Sequence, residues 1–132
     1  MNARASPFTG EAPARIDDVI AARAVSVVFQ PVVDLARGAA VGYEALVRGP
    51  AGTWLEPPAA LFAAARETGR FERLAIVCIQ ETLRAWAAHG SPGLLFLNMS
   101  PRLVQRPGFE PVRARRFLES LGLVPASMVI GM

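Results

Sequence analysis

The chain has 132 residues, 52% of them apolar and 19% charged, which suits one globular domain and excludes a disordered one. It has no run near the roughly 18 apolar residues of a membrane helix, no signal-peptide core near Met1, and a single cysteine, Cys78, so the expectation is a cytoplasmic protein with no membrane contact. The net charge of +3 rests on 14 basic residues, all Arg, and only Arg113, Arg115 and Arg116 cluster, so the stripe of charge that marks a nucleic-acid binder is not expected.

Residues 1–12 mix Ser, Pro, Gly and Thr and are expected to form a disordered leader, with the folded part running over 13–132. Residues 13–24 place Ile16, Val19, Ile20 and Ala24 at helical spacing. Residues 24–33 are apolar nearly throughout and β-branched, which predicts a strand buried on both faces. A turn over 34–38 leads to a second strand at 40–48, closed by Gly49-Pro50. Pro58 opens a helix that Gly69 ends. The longest periodic segment, 71–89, is a helix with Gly90 after it. A short strand follows at 94–99, a helical turn within 101–108, a helix over 111–121 and a fourth strand at 127–130. From the second strand onward, strands alternate with helices, which predicts parallel pairing. The first two strands are joined too tightly for a crossover and should pair antiparallel.

Alternate residues of a strand share a face. Glu44, Leu46 and Arg48 therefore point one way on the second strand, Gln30 joins Val28 and Val32 on the first, and Asn98 joins Leu94 and Phe96 on the third. Polar groups that follow apolar ones toward the carboxyl ends of parallel strands gather at the mouth of an α/β barrel. Taken singly, each has a plainer reading. Glu44 could end a strand at the surface, Arg48 could pair with it, Asn98 could be a turn residue and Gln30 an edge polar group.

Together they resemble something more specific. Phe29-Gln30-Pro31-Val32-Val33-Asp34-Leu35, then Val41-Gly42-Tyr43-Glu44-Ala45-Leu46-Val47-Arg48-Gly49, is similar to the opening of an EAL domain. Pro58, Phe62 and Ala65-Arg66-Glu67-Thr68-Gly69 resemble the family's first helix, Leu97-Asn98-Met99-Ser100-Pro101 a later strand end, and Leu121-Gly122-Leu123-Val124-Pro125 the approach to the next strand. The resemblance implies an α/β fold: a partial TIM-like β/α barrel of about four strands, the amino-terminal half of an EAL domain. It also implies hydrolysis of cyclic-di-GMP to linear pGpG in bacterial signalling. Glu44 would be a catalytic carboxylate ligand of Mg²⁺ or Mn²⁺, with Asn98 adding an amide oxygen. Arg48 and Leu46 would bind the substrate, and Gln30 would bond to ligand or attacking water. Hard oxygen donors suit such ions, and a guanidinium fork suits a phosphate.

The pattern departs from the family in one strand. Met128-Val129-Ile130 resembles the fourth strand, but Gly131 stands where a metal-ligating Glu is expected. The later acidic pair and a Lys have no counterpart, and the sequence contains no Lys. The chain alone is therefore expected to be a truncated, inactive domain whose open sheet edges favour self-association or a complementing half. A degenerate interaction or cyclic-di-GMP-binding module is the alternative. Elsewhere, Cys78, Phe71 and Trp86 are expected in the core and His89 at a helix end. Trp54 falls on a loop at the barrel mouth, lining the site or forming its rim.

Overall fold

The computed structural model describes residues 15–90, 93–99, 105 and 110–131. The expected leader and the helical turn within 101–108 lie outside these residues, apart from residue 105. In chain order the elements are α1 (Ile16–Ala22), β1 (Ser26–Asp34), β2 (Ala39–Arg48), α2 (Pro58–Glu67), α3 (Phe71–Ala88), β3 (Leu94–Asn98), α4 (Pro111–Ser120), a single 3₁₀ turn (Pro125–Ser127) and β4 (Met128–Gly131). The four strands form one sheet in the order β1-β2-β3-β4. β1 runs antiparallel to β2, and the other pairings are parallel. This is the mixed α/β sheet that the alternation predicts.

The described residues fall into two compact units, one drawn from residues 15–27 and 47–81, the other from 28–46 and from those described between 82 and 131. The first is a helical core. Asp17 and Asp18 in the first turn of α1 complement the positive end of its dipole. The helix ends at Arg23, a left-handed residue at φ 53°. Its guanidinium bridges to Glu81 at 2.8 Å and also donates to Gln80, fastening the end of α1 to α3. α2 starts with Pro58 in the first turn, where the missing N–H costs nothing. Beyond its end Gly69 turns at φ +69°, and the Arg70 N–H donates to the Ala65 carbonyl at 2.7 Å. Val19, Leu55, Leu61, Ala65 and Leu74 are fully buried between these elements, with Cys78 beside them.

Cys78 sits in this core as expected, and its thiol is pushed up to about 12 by burial first and by the nearby Glu81 charge second. Phe71 does not sit there. It is half-buried at the start of α3, its ring 6.0 Å from that of Phe62 and covered by the Arg66 guanidinium at 5.1 Å. As the first residue of its helix it has only one turn of neighbours to bury it.

The second unit packs the sheet on the carboxyl half of α3. Trp86, 1% exposed, meets Phe29 of β1 at 5.2 Å and Tyr43 of β2 at 5.8 Å between ring centroids. Leu95 and Leu97 of β3 are buried. β1 is not the doubly buried strand that its apolarity predicts: Gln30, Pro31 and Val33 are exposed, Val33 by 52%. The reason is position, because β1 is an edge of the sheet, a place apolarity does not reveal. His89 follows α3, exposed, with its ring edge-on to Phe29 at 5.5 Å.

Candidate functional site

The face on which the polar groups stand follows from the contacts of their neighbours. Phe29 and Tyr43 both turn toward Trp86. By alternation Gln30 and Glu44 turn to the other face. β2 and β3 pair in register with Tyr43 beside Leu95 and Glu44 beside Phe96. Phe96 thus shares the face of Glu44, and Asn98, two residues on, shares it too. The structure brings Glu44 and Asn98 together: the Asn98 Nδ2 donates to Glu44 Oε2 at 2.9 Å across 54 residues of sequence. The second carboxylate oxygen and the amide oxygen accept no hydrogen bond among the described residues.

Gly42 is the residue this site needs and composition alone passes over. A Cβ there would stand 2.5 Å from the Leu94 carbonyl oxygen and 2.9 Å from the Phe96 ring, so only glycine admits β3 at this distance and lets the ring lie over β2. The signal is a glycine inside a strand, two residues before Glu44, which marks close backbone approach.

Gln30 is exposed on the face shared with Glu44 and is the third polar group there. Leu46 is half-buried two residues beyond Glu44. Arg48, the last residue of β2 and part of the first unit, is half-buried, and its Nη1 donates to the Val47 carbonyl at 3.0 Å. β4 adds the fourth position. Gly131 pairs with Asn98 in register, so the residue expected to be a carboxylate stands beside the pair and has no side chain.

One carboxylate and one amide are hard oxygen donors of the kind Mg²⁺ or Mn²⁺ takes, with water or phosphate oxygens filling the remaining positions. Together they could offer at most two protein oxygens to one ion. Among the described residues there is no group of three or more His, Cys, Asp or Glu that could hold a metal ion. No helix there is long and apolar enough to cross a membrane.

Three comparisons bear on this arrangement. A probable cyclic di-GMP phosphodiesterase of Escherichia coli (strain K12), PdeB, is 41% identical over 68 residues, 50% of this chain and 13% of that protein. The FimX EAL domain from Pseudomonas aeruginosa, solved bound to c-di-GMP, superposes with a TM-score of 0.69 at 29% identity, covering 87% of this chain and 47% of that one. Klebsiella pneumoniae BlrP1, solved as a calcium and cyclic-di-GMP complex, gives 0.69 at 21% identity over 81% of this chain and 26% of its own, a likeness of fold. The chain thus spans less than half the length of each of these relatives. The EAL domain model itself matches residues 14–132. With that match over nearly its whole length, the chain belongs to the EAL domain family.

Proposed function

We propose that this domain serves cyclic-di-GMP chemistry, with Glu44 and Asn98 as the protein donors to one Mg²⁺ or Mn²⁺ ion. Arg48 takes a phosphate of the dinucleotide, Leu46 packs beside it, and Gln30 bonds to ligand or water. The observation that carries the reading is the Glu44–Asn98 bond of 2.9 Å on the sheet face turned away from Trp86. It aligns two oxygen-bearing groups that the sequence separates widely. A bound divalent ion would polarise a phosphoryl oxygen and acidify a water. The cytoplasmic location expected from the sequence belongs to the same reading.

Hydrolysis by this family's overall reaction adds water across one P–O3′ bond and leaves linear pGpG. One carboxylate and one amide do not provide the second ion that clamps such an attack. The 132-residue chain alone therefore binds the dinucleotide weakly and does not cleave it. A second reading, a non-catalytic interaction module, is favoured by Val33 and Leu35, 52% and 92% exposed at the end of β1 and the turn after it.

The deciding experiment is calorimetric titration of the chain with cyclic-di-GMP and Mn²⁺, with chromatography of the mixture for pGpG. Binding without product is expected. Glu44→Ala should abolish the Mn²⁺ dependence, and Gly131→Glu, adding a carboxylate beside Asn98, should tighten Mn²⁺ about tenfold. Absence of binding sinks the ligand reading in favour of the interaction module, and accumulation of pGpG sinks the statement that the chain does not cleave.

A further inference from the structure

The loop after β2 is closed at its neck and holds its shape from within. The Gly49 N–H donates to the Glu56 carbonyl at 2.9 Å. No side chain fits at Gly49, where a Cβ would come within 1.9 Å of the Leu55 carbonyl oxygen. Inside the loop the Thr53 hydroxyl donates to the Pro50 carbonyl at 2.8 Å, the Glu56 N–H to the Thr53 carbonyl at 3.1 Å, and the Gly52 N–H to the Glu56 carboxylate at 3.0 Å. Gly52 supplies the left-handed turn at φ +79°. Leu55 plugs the loop into the core of the first unit and is fully buried.

Trp54, the residue before that plug, is 62% exposed. The larger apolar side chain is left in solvent while the smaller one fills the core. A backbone this firmly bonded has little freedom left to lose when something covers the indole. Arg48 immediately precedes the neck and Trp54 lies within the loop, so one unit carries both a guanidinium and an exposed aromatic ring within seven residues of chain.

A guanine nucleotide presents a phosphate and a flat π-surface, the two chemistries these residues match. We infer that Trp54 is a stacking platform for a guanine base of the dinucleotide whose phosphate Arg48 holds, an inference that rests on the function proposed above. Trp54 would then hold the face of the base, whereas Arg48 holds the phosphate.

The chain has two tryptophans, Trp54 and the buried Trp86, so fluorescence separates them. Cyclic-di-GMP should quench the exposed emission of the 132-residue chain, and Trp54→Phe should remove that quench while keeping affinity within about threefold. Trp54→Ala should weaken calorimetric binding about tenfold and leave the Trp86 emission unchanged. Ribose 5-phosphate, which has no base, should bind both forms alike. Unchanged cyclic-di-GMP affinity in Trp54→Ala overturns the stacking role alone. No calorimetric binding by the parent chain overturns the proposed function and the stacking role with it.

Discussion

α2 and α4 are two helices of ten residues with the same punctuation and opposite fates. Each starts with Pro in its first turn, and each is followed by a glycine at positive φ, Gly69 at +69° and Gly122 at +75°. α2 buries Leu61, Ala64 and Ala65, whereas α4 buries no residue fully. The difference lies in side chains between the signals. Ala59, Ala60, Ala63, Ala64 and Ala65 let α2 approach its neighbours closely, but Arg113, Arg115 and Arg116 hold α4 in water, leaving Phe117 and Leu118 half-buried. Capping signals decide where a helix exists, and the residues between them decide whether it contributes to a core.

The largest test of that contrast is truncation of the two leucines. Leu61→Ala should cost about 2–5 kcal/mol, transfer and cavity terms together. Leu118→Ala should cost about 1 kcal/mol or less, since only part of its surface leaves water. Urea unfolding followed by circular dichroism measures both. Equal costs would mean that α4 is as firmly packed as α2.

Cys78 offers a second test, in the well-buried first unit. Its folded thiol, raised to about 12, stands above the unfolded value of 9.0, so the unfolded chain ionises first as pH rises. The stabilising contribution is intact below about pH 9 and is lost as pH rises toward the folded value, with a slope of about 1.4 kcal/mol per pH unit. The sequence contains no Lys and one Tyr, so few other groups obscure this limb. Cys78→Ala should flatten the fall in urea midpoint between pH 9 and pH 11, whatever it costs at pH 7. A slope that survives the substitution would assign it to another group.

Much of the fold was legible because local chemistry dictates it. Pro58, Gly69 and Gly90 mark helix ends through their backbone limits alone, and the tight link after Asp34 leaves no room for a crossover. The burial of β1 was not legible: apolar residues look the same on a central strand and at an edge, and strand order comes from tertiary pairing. The site divides likewise. Glu44, Asn98 and Gln30 can be assigned a face by counting, and their shared face agrees with the ring contacts of Phe29 and Tyr43. The contact of Glu44 with Asn98 depends on the β2–β3 register, which the spacing of the two residues does not encode. Arg23 gave no signal at all, because a non-glycine left-handed cap needs a distant partner to make it worthwhile.

That partner makes the smallest test, a comparison of two Arg–Glu pairs. Arg23 meets Glu81 at 2.8 Å with side chains 38% and 25% exposed, and Arg115 meets Glu119 at 3.4 Å with 71% and 52% exposed. The first pair joins two helices and the second lies along one, so only the first resists separation of elements. Arg23→Ala keeps a Cβ at φ 53°, so the left-handed cost is the same before and after and cancels from the comparison. A double-mutant cycle with Glu81→Ala should give a coupling of about 0.5–1 kcal/mol, reduced from a buried pair's value by the solvent that reaches it. The cycle for Arg115 and Glu119 should give about 0.3 kcal/mol, and 0.5 M salt should erase it while leaving part of the first. If the two couplings match in size and salt response, the Arg23–Glu81 pair is merely a surface ion pair, and the left-handed cap at the end of α1 is held by its backbone bonds to Val19 and Ile20 and by the bond to Gln80.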